Sequence, residues 1–369
     1  MILYWNKILY LELKGIILHG GHGTRLRPLT HTGPKQLLSI ANKPMSQYAL
    51  EDLKTAGITD IGIIIGDLYP EKVKEYYNDG SEFGVKITYI YQDAPKGISH
   101  AIRLCKDFVG DDKFIVYLGD NVLRKNLIDY TKKFQSSDSD AMILLCEVKD
   151  PQRFGVAELD QNNPEKIKTI IEKPKNPPSN LAVIGIYFLT PKIFDAIDKL
   201  KPSSRGELEI TEALQLLIDN KQKVTFDTVT GWWKDTGTPE DIIHANKLIL
   251  DSIGAENQFL IDPDAEIKDQ IVIGKNTVIS KDSSIIGPII IGKNCQIGSG
   301  VKLGPYVSIG DNCKIHQCSI QNSIIMKNCS IDVKTSFSNS IIADNCQIND
   351  NSIPNQCNFL LGERSQLRF

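Results

Sequence analysis

Residues 261–315 read IDPDAEIKDQIVIGKNTVISKDSSIIGPIIIGKNCQIGSGVKLGPYVSIGDNCKI, with an aliphatic residue at every sixth position. The repeating residues are Ile261, Ile267, Ile273, Ile279, Ile285, Ile291, Ile297, Leu303, Ile309 and Ile315. A helix would repeat about every 3.6 residues and a strand about every two, so neither explains this period. A period of six is typical of a parallel β-helix, in which three hexads form one triangular coil of about 18 residues. The stretch therefore predicts a β-helix with the aliphatic side chains inside.

The six-residue period shifts after Ile315. The series continues at intervals of five or six residues, at Ile320, Ile325, Ile331, Phe337, Ile342 and Ile348. We expect each shift to mark a turn that bulges or loops outward from the coil.

A Lys/Asp-Asn-Cys tripeptide recurs in the same half of the chain, at residues 293–295, 311–313, 327–329 and 344–346. Asparagine tolerates the left-handed backbone conformation that a tight corner requires. The tripeptide therefore predicts a repeated corner, with each cysteine stacked on its counterpart in the previous coil. We interpret these cysteines as small interior residues, and a metal site or disulfides as the weaker alternative.

Residues 15–250 have a different pattern, in which short apolar runs alternate with helix-like segments. Strands are predicted at Lys14–Leu18, Asp60–Ile65, Lys113–Leu118, Ala141–Glu147, Val183–Leu189 and Val224–Thr228. Helices are predicted at Pro44–Ala56, with Pro44 in the first turn, and from Pro239 to about Asp251. The alternation predicts an α/β, Rossmann-like domain with a mostly parallel sheet.

These patterns divide the chain into predicted domains. Residues 1–14 are an N-terminal extension, because they lack the charged start and the cleavage site of a signal peptide. The α/β domain spans residues 15–251, a linker spans 252–258, the β-helix spans 259–362 and a tail spans 363–369.

Composition excludes several classes of protein. Lys plus Arg number 42 and Asp plus Glu number 45, which excludes a polybasic nucleic-acid binder and an acidic disordered protein. No segment approaches the roughly 20 apolar residues of a membrane span. None of the eight cysteines forms a C-x-x-C pair, so we expect reduced thiols and a cytoplasmic location.

A glycine-rich loop follows the first predicted strand. It reads GGHGTRLRPLT at residues 20–30, and GPKQ follows at residues 33–36. Glycines let backbone N–H groups approach phosphates, and Arg25, Arg27 and Lys35 bring three cations to the end of a strand. The loop is neither a Walker A motif nor G-x-G-x-x-G.

Further motifs follow in order along the α/β half. They are QDAPKG at 92–97, LGDN at 118–121, RFGV at 153–156, EKP at 172–174, RGELEIT at 205–211 and WKDTG at 233–237. Together with the glycine-rich loop, this series resembles the sugar-1-phosphate nucleotidylyltransferase family. The match is closest to its long glucose-1-phosphate thymidylyltransferases, which carry a C-terminal left-handed β-helix. His19 departs from the pattern, because relatives usually have a small residue there.

The resemblance implies a transferase that makes dTDP-glucose and pyrophosphate from dTTP and glucose 1-phosphate with Mg²⁺. It assigns Asp120 and Asp235 to the metal, which fits the few carboxylates that Mg²⁺ takes from proteins. Charge neutralisation during transfer falls to Arg25, Lys35 and Lys173. The implied nucleotide-binding residues are Gly20, Gly21, Gly23, Thr24, Gln36, Gln92 and Gly97. The implied sugar-binding residues are Asn121, Gly155, Glu172 and Glu207.

Alternatives remain open at this level. The runner-up is a uridylyltransferase acting on glucose 1-phosphate or N-acetylglucosamine 1-phosphate, with an acetyltransferase in the β-helix as a further option. Acetyl transfer usually requires a histidine base, and His316 is the only histidine after residue 250. A scaffold protein with a dead site is disfavoured, because all the proposed catalytic residues are present. We expect a homo-oligomer, assembled through the β-helix, and no nucleic-acid or membrane partner.

Overall fold

The computed structural model describes residues 13–124, 126–254, 266–349, 354 and 356–367. Contacts divide the chain into two compact units. The first unit comprises residues 1–21 and 49–233, and the second comprises residues 22–48 and 234–369. The glycine-rich loop from His22 onward thus packs with the C-terminal half of the chain. The sequence boundaries at residues 15, 251 and 259 remain predictions.

The first unit is built on one large sheet. Its strands are β1 (Leu13–His19), β2 (Asp60–Ile65), β3 (Lys86–Tyr91), β4 (Lys113–Leu118), β5 (Ala141–Glu147), β6 (Gly155–Leu159), β7 (Ile167–Glu172), β8 (Leu181–Leu189) and β9 (Val224–Thr228). The strand order is β7-β6-β8-β4-β1-β2-β3, with β5 beside β8 and β9 beside β5. A short strand at Asn121–Leu123 lies outside this sheet.

The sheet is mixed, which refines the expectation of a mostly parallel one. Strands β4, β1, β2 and β3 are mutually parallel, as are β5 and β9. Strand β8 runs antiparallel to β4, β5 and β6, and β6 is antiparallel to β7. The predicted strands Asp60–Ile65, Lys113–Leu118, Ala141–Glu147 and Val224–Thr228 are confirmed at the same bounds.

Helices cover the sheet of the α/β half. They are α1 (Met45–Thr55), α2 (Pro70–Tyr77), α3 (Ile98–Arg103), α4 (Lys106–Val109), α5 (Ile128–Ser136), α6 (Lys192–Ile197) and α7 (Ile210–Asp219). Helix α1 begins one residue later than predicted, because Pro44 lies in a short strand, Lys43–Pro44. The core of the first unit is apolar and includes Ile16, Phe114, Val116, Ile143 and Leu214.

The second unit contains helix α8 (Pro239–Leu250) and a three-sided coil of short parallel strands. The first face is formed by Glu266–Lys268, Ser284–Ile286, Lys302–Leu303, Ser319–Gln321 and Ser336–Ser338. The second face is formed by Ile271–Ile273, Ile289–Ile291, Val307–Ile309, Ser323–Ile325, Ile341–Ile342 and Leu360–Leu361. The third face is formed by Val278–Ile279, Gln296–Ile297, Lys314–His316, Ser330–Asp332, Gln347–Ile348 and Gln366–Leu367. This is the predicted left-handed β-helix.

The hexad residues fill the interior of the β-helix. From Ile273 to Ile315 all of them are buried, while Ile267 is partly buried and Ile261 lies outside the described residues. Pairing Ile285 with Leu303 gives an 18-residue coil, whereas Ile309 pairs with Ile325 after only 16 residues. The period shift there shortens a coil, so the expected outward bulge is wrong. The side chains keep their register because residues are lost only between the strands.

The repeated corner is confirmed. Asn294, Asn312, Asn328 and Asn345 all have φ near +60°. Their side chains form a ladder in which each Nδ2 donates to the Oδ1 one coil further on, at 3.0–3.2 Å. The neighbouring cysteines are buried free thiols whose Sγ atoms contact a carbonyl of the next coil. The segment Gln366–Leu367 pairs with Gln347–Ile348, so the described part of the tail continues the coil.

Shortening a side chain inside the β-helix tests this packing. Ile315 is 0% exposed, whereas Ile286, on another strand of the β-helix, is 39% exposed. Ile315→Ala should lower the free energy of unfolding by about 2–5 kcal/mol, because it leaves a cavity. Ile286→Ala should change it by less than about 0.5 kcal/mol. Calorimetric unfolding of both variants measures the difference, and equal losses would contradict the assignment of the interior.

Candidate active site

The glycine-rich loop leaves the carboxyl end of β1 in the first unit. A Cβ atom on Gly20 would lie 3.2 Å from Gln92 Oε1, so the backbone passes close to this side chain. Gly21 has φ +91°, which favours glycine. Gln92 is buried, and its Nε2 lies 3.1 Å from His100 Nδ1. The sequence-predicted residues Gly20, Gly21 and Gln92 therefore lie together.

His19 precedes these glycines and is buried against the edge of the Tyr77 ring, with 5.9 Å between ring centroids. Among the described residues, neither of its ring nitrogens has a hydrogen-bond partner. Burial lowers the pKa of His19 to about 3, although the Asp120 carboxylate opposes the shift. His19 is therefore neutral at pH 7 and adds no positive charge beside the loop.

The loop continues in the second unit with a left-handed residue, Gly23, at φ +58°. Thr30 Oγ1 donates to the Gly23 carbonyl at 2.8 Å, and Leu26 N donates to the same oxygen at 2.9 Å. A 3-10 helix at Thr24–Leu26 buries Leu26 and leaves Arg25 exposed. The buried leucine and the threonine bond thus fix the loop while the guanidinium faces solvent.

Lys35 and Gln36 lie on a second 3-10 helix, Lys35–Leu37. A Cβ atom on Gly23 would lie 3.3 Å from Lys35 Cβ, so the loop folds back on itself. Ser46 Oγ donates to the Gln36 carbonyl at 3.1 Å, and the Gln36 side chain is buried. The two predicted groups Gly23–Thr24 and Lys35–Gln36, about ten residues apart in sequence, are brought together.

Asp235 lies on a short strand, Trp233–Asp235, and its carboxylate is close to Arg25. A Cβ atom on Gly237 would lie 3.0 Å from Asp235 Oδ2 and 3.2 Å from Arg25 Nη2. The carboxylate and the guanidinium therefore line the same space. Thr236, between Asp235 and Gly237 in sequence, is buried, and its Oγ1 lies 2.8 Å from Met45 Sδ.

Asp120 and Asn121 follow the carboxyl end of β4 in the first unit, and both are buried. Asn121 Nδ2 donates to Asp120 Oδ1 at 3.0 Å. Asn121 Oδ1 accepts from Trp233 Nε1 at 2.7 Å and from the Gly185 backbone N–H at 3.2 Å. Asn121, which is predicted to bind sugar, thus holds both Asp120, the predicted metal ligand, and the Trp233 ring.

Glu172, at the end of β7, faces Gly155 and helix α7. Thr211 Oγ1 donates to Glu172 Oε2 at 3.1 Å. A Cβ atom on Gly155 would lie 2.5 Å from Thr211 Cγ2 and 3.4 Å from Glu172 Oε2, so glycine leaves room for this bond. Burial, followed by the nearby carboxylates of Glu172 and Asp120, raises the pKa of the Tyr187 hydroxyl. Tyr187 therefore lies near both carboxylates.

Lys173 has a left-handed backbone, with φ +41°. Its N–H donates to the Phe154 carbonyl at 3.0 Å, and the Phe154 ring packs edge-on against Trp233. Its Nζ lies 3.4 Å from Glu172 Oε1, with 42% of the side chain exposed. The backbone bond therefore fixes the base of a cation whose end remains accessible.

Arg205 also lies in this region, although no role is predicted for it from the sequence. Its guanidinium donates to Glu209 at 2.8–3.0 Å, to Glu207 Oε2 at 3.2 Å and to Glu172 Oε1 at 3.3 Å. It therefore contacts both glutamates that were predicted to bind sugar. The run RGELE, with carboxylates two and four residues after the arginine, was a signal for the local pairs but not for the long-range contact with Glu172.

Comparison with known proteins decides the family. The profile described as "Nucleotidyl transferase" matches residues 14–252. The chain belongs to the sugar-1-phosphate nucleotidyltransferase family. A second profile, "GMPPB C-terminal domain", matches residues 285–367.

Three relatives of this nucleotidyltransferase illustrate the range of its similarity. Low-salt glycan biosynthesis nucleotidyltransferase Agl11 of Haloferax volcanii is 46% identical, over 96% of this chain and 100% of its own length. Glucose-1-phosphate thymidylyltransferase of Streptomyces antibioticus is 43% identical, over 71% of this chain and 73% of its own. UTP–glucose-1-phosphate uridylyltransferase AglF of Haloferax volcanii is 37% identical, over 62% of this chain and 93% of its own.

A solved structure agrees with the fold over 66% of this nucleotidyltransferase. It is a putative glucose-1-phosphate thymidylyltransferase from Bacillus anthracis in complex with sucrose. The identity is 42% and the TM-score is 0.62, over 66% of this chain and 98% of that one.

The carboxylates of this nucleotidyltransferase suit Mg²⁺, which prefers oxygen ligands. Asp120 is buried with one oxygen hydrogen-bonded to Asn121, and Asp235 carries a second carboxylate beside Gly237. Within the described ranges, no three His, Cys, Asp or Glu side chains gather as a metal cluster. A Mg²⁺ ion bound to either carboxylate would take few protein ligands and complete its shell with phosphate oxygens and water.

Gly97, a predicted nucleotide-binding residue of the first unit, lies where a side chain would not fit. It has φ +101°, and a Cβ atom would lie 2.5 Å from the Leu208 carbonyl oxygen. Backbone bonds from Ser99 N to Leu208 O and from Leu208 N to Lys96 O hold the two segments together. Gly97 is thus required by both the backbone conformation and the close approach.

Gly97→Ala should therefore lower the free energy of unfolding by about 1–3 kcal/mol and reduce kcat/KM for the nucleoside triphosphate. Gly66→Ala is the matched control, because its Cβ would meet nothing within 4 Å. Denaturant unfolding and pyrophosphate release measure the two effects. If both variants behave alike, the strain at Gly97 has no functional consequence.

Proposed function

We propose that this nucleotidyltransferase makes dTDP-glucose and pyrophosphate from dTTP and glucose 1-phosphate. The observation that carries the proposal is a set of polar side chains at the strand ends of the first unit. Asp120 and Glu172 lie near Tyr187, and Asn121 is buried and held by Trp233. The choice of dTTP and glucose is supported by relatives with that name at 43% identity.

The reaction is a direct displacement. A phosphate oxygen of the sugar phosphate forms a bond to the α-phosphorus, the bond from that phosphorus to the β-phosphate oxygen breaks, and pyrophosphate leaves. Both reactants are anionic, so the protein must hold them in line and neutralise their charge. No protein nucleophile is required.

The cations have separate tasks in this proposal. Arg25 and Lys35 neutralise the triphosphate and the leaving pyrophosphate, while Lys173 contacts the sugar phosphate and the α-phosphate. The backbone N–H groups of Gly20, Gly21, Gly23 and Thr24 approach the triphosphate. Asp120 and Asp235 are the residues that would hold Mg²⁺, which would neutralise charge on the phosphates.

The neutral ends of the substrates bind to amides and carboxylates. Gln36 and Gln92 pair with the edge of the base, and Gly97 lets the backbone pack against its face. Asn121, Gly155, Glu172 and Glu207 contact the sugar. Arg205 already donates to Glu172 and Glu207, but a carboxylate has about four acceptor sites and can bind a hydroxyl as well.

The location and assembly are part of the same proposal. All eight cysteines are free thiols, which supports a reducing cytoplasm. No helix of the described residues is long and apolar enough to cross a membrane. We expect a homo-oligomer assembled through the β-helix.

A substrate matrix tests the proposed function. Purified protein is incubated with Mg²⁺, each of five nucleoside triphosphates and several sugar 1-phosphates, and pyrophosphate release is followed. A peak with dTTP and glucose 1-phosphate is expected. A peak with UTP and glucose or N-acetylglucosamine 1-phosphate would favour the uridylyltransferase alternative, which the match to AglF supports. An added arm with acetyl-coenzyme A and glucosamine 1-phosphate tests acetyl transfer.

Asp235→Asn tests the metal role, because it removes the charge but keeps the shape. Apparent Mg²⁺ affinity should fall by at least the roughly 10–100-fold that the loss of a supporting metal contact costs. Asp227→Asn is the control, since Asp227 pairs with Lys133 on the surface. Pyrophosphate release against Mg²⁺ concentration measures both variants, and unchanged Mg²⁺ dependence in Asp235→Asn would exclude the assignment.

Lys173→Met tests the cation at the reacting phosphates. It should lower kcat by about 10²–10³-fold, because charge that develops during transfer loses its partner. Lys175→Met, two residues along the same exposed segment, should leave kcat within about twofold. Steady-state kinetics with saturating substrates compare them, and a near-normal kcat in Lys173→Met would remove Lys173 from the catalytic residues.

A further inference from the structure

A β-hairpin in the second unit follows the loop that carries Lys35 and Gln36, and its tip contacts the β-helix. Its strands are Ser39–Ile40 and Lys43–Pro44, paired antiparallel. Its tip is Ala41-Asn42, with φ +47° and +65°, the left-handed conformation of both central residues in a two-residue hairpin turn. The tip provides the contacts described next.

The first contact is a buried junction at Asn246 of helix α8. Its Oδ1 accepts from the Ala41 backbone N–H at 2.9 Å and from Ser308 Oγ, on the second face of the β-helix, at 2.9 Å. Asn246 and Ser308 are completely buried. One amide oxygen therefore links the hairpin tip, helix α8 and the β-helix, and buried bonds of this kind are costly to break.

The second contact is made by Asn42 itself. Its Nδ2 donates to the Ile309 carbonyl at 2.6 Å, on the same face of the β-helix. A third close approach lies earlier in the loop, where a Cβ atom on Gly362 would lie 2.8 Å from the Pro28 carbonyl oxygen. The loop is thus held by the β-helix at two separated points.

The base of the hairpin holds the proposed nucleotide ligands. Met45 N donates to the Leu38 carbonyl at 3.1 Å, Leu38 N donates to the Lys35 carbonyl at 3.0 Å, and Ser46 Oγ donates to the Gln36 carbonyl. A 3-10 helix of three residues is only marginally stable alone. Its conformation therefore depends on these bonds and on the anchored hairpin.

We propose that Asn42, Asn246 and Ser308 are positioning residues for the nucleotide, through the hairpin that fixes Lys35 and Gln36. The β-helix is then a working part of the nucleotide site as well as a scaffold. This inference rests on the proposed function of Lys35 and Gln36 in binding the triphosphate. Anchoring lowers the entropy that the loop loses when the triphosphate binds.

Asn42→Gly is the sharpest test, because glycine keeps φ +65° and removes only the side-chain bond. Asn276→Gly is the matched control: Asn276 has φ +60° and donates one bond from Nδ2 to Asn294 Oδ1, on a corner of the β-helix. Calorimetric titration with Mg-dTTP and with Mg-UTP measures binding without turnover. Kinetics then give KM for the triphosphate and for the sugar phosphate separately.

We expect Asn42→Gly to weaken triphosphate binding and raise its KM by about three- to tenfold, the worth of one hydrogen bond. KM for the sugar phosphate should change by less than about twofold, and Asn276→Gly should match wild type in both constants. Equal triphosphate affinity in the two variants would overturn the positioning role. An equal rise in both KM values for Asn42→Gly would also overturn it, as a general structural effect.

Ser308→Ala gives the same comparison if Asn42→Gly does not fold, since it removes one bond and leaves Asn246 accepting from Ala41. It should raise KM for the triphosphate selectively, and a selective effect on the sugar phosphate would overturn the inference. A wild-type protein that binds neither Mg-dTTP nor Mg-UTP would overturn the proposed function and the inference together. Wild-type binding with unaffected variants would overturn the inference alone.

Discussion

The arrangement of the second unit depends on two hydrogen bonds to the buried side chain of Asn246. Its oxygen accepts hydrogen bonds from the hairpin tip and from the β-helix, so three parts of the chain that are far apart in sequence share one acceptor. A buried polar group that lost its partners would cost free energy, and this cost favours one arrangement of helix α8, the hairpin and the coil. The position of Lys35 and Gln36 follows from that arrangement. The β-helix, a repeat domain that is expected to serve in assembly, is thereby also joined to the loop that is proposed to bind phosphate.

Electrostatics explains the composition of the first unit's polar region. Asp120, Glu172 and Glu207 would repel one another and an anionic substrate, yet Asn121, Thr211 and Arg205 donate to their oxygens. These hydrogen bonds offset the repulsion between the carboxylates. His19 beside Asp120 is neutral, because burial lowers its pKa to about 3. It therefore adds no positive charge to this region.

Much of the fold could be predicted, because its signals are local and periodic. Apolar runs placed strands such as Asp60–Ile65 correctly, and the hexads predicted the three-sided coil. Two expectations were wrong in detail: Pro44 precedes helix α1, and the period shift at Ile325 shortens a coil. The Rossmann-like sheet is confirmed, and the structure adds that some of its strands run antiparallel. Strand direction depends on which edges meet, and apolar periodicity is the same for parallel and antiparallel neighbours in a buried sheet. The intervals of five residues at Ile320 and Ile325 correspond to lost residues, whereas an outward loop would need inserted ones.

The candidate site shows the same limit. Residues such as Gly97 and Lys173 could be predicted as site residues because they belong to motifs of the family. Arg205, Asn246 and Ser308 make long-range contacts that no local pattern predicts. Sequence patterns were enough to predict the two architectures, the corner asparagines and the family, since glycine conformations, hexad spacing and ordered motifs are properties of the chain read locally. The folded structure was needed to show that residues 22–48 pack with the C-terminal half and that Glu172, Glu207 and Glu209 share Arg205. Those outcomes depend on hydrogen bonds and close packing between distant residues, such as Asn42 and Ile309, which are 267 positions apart.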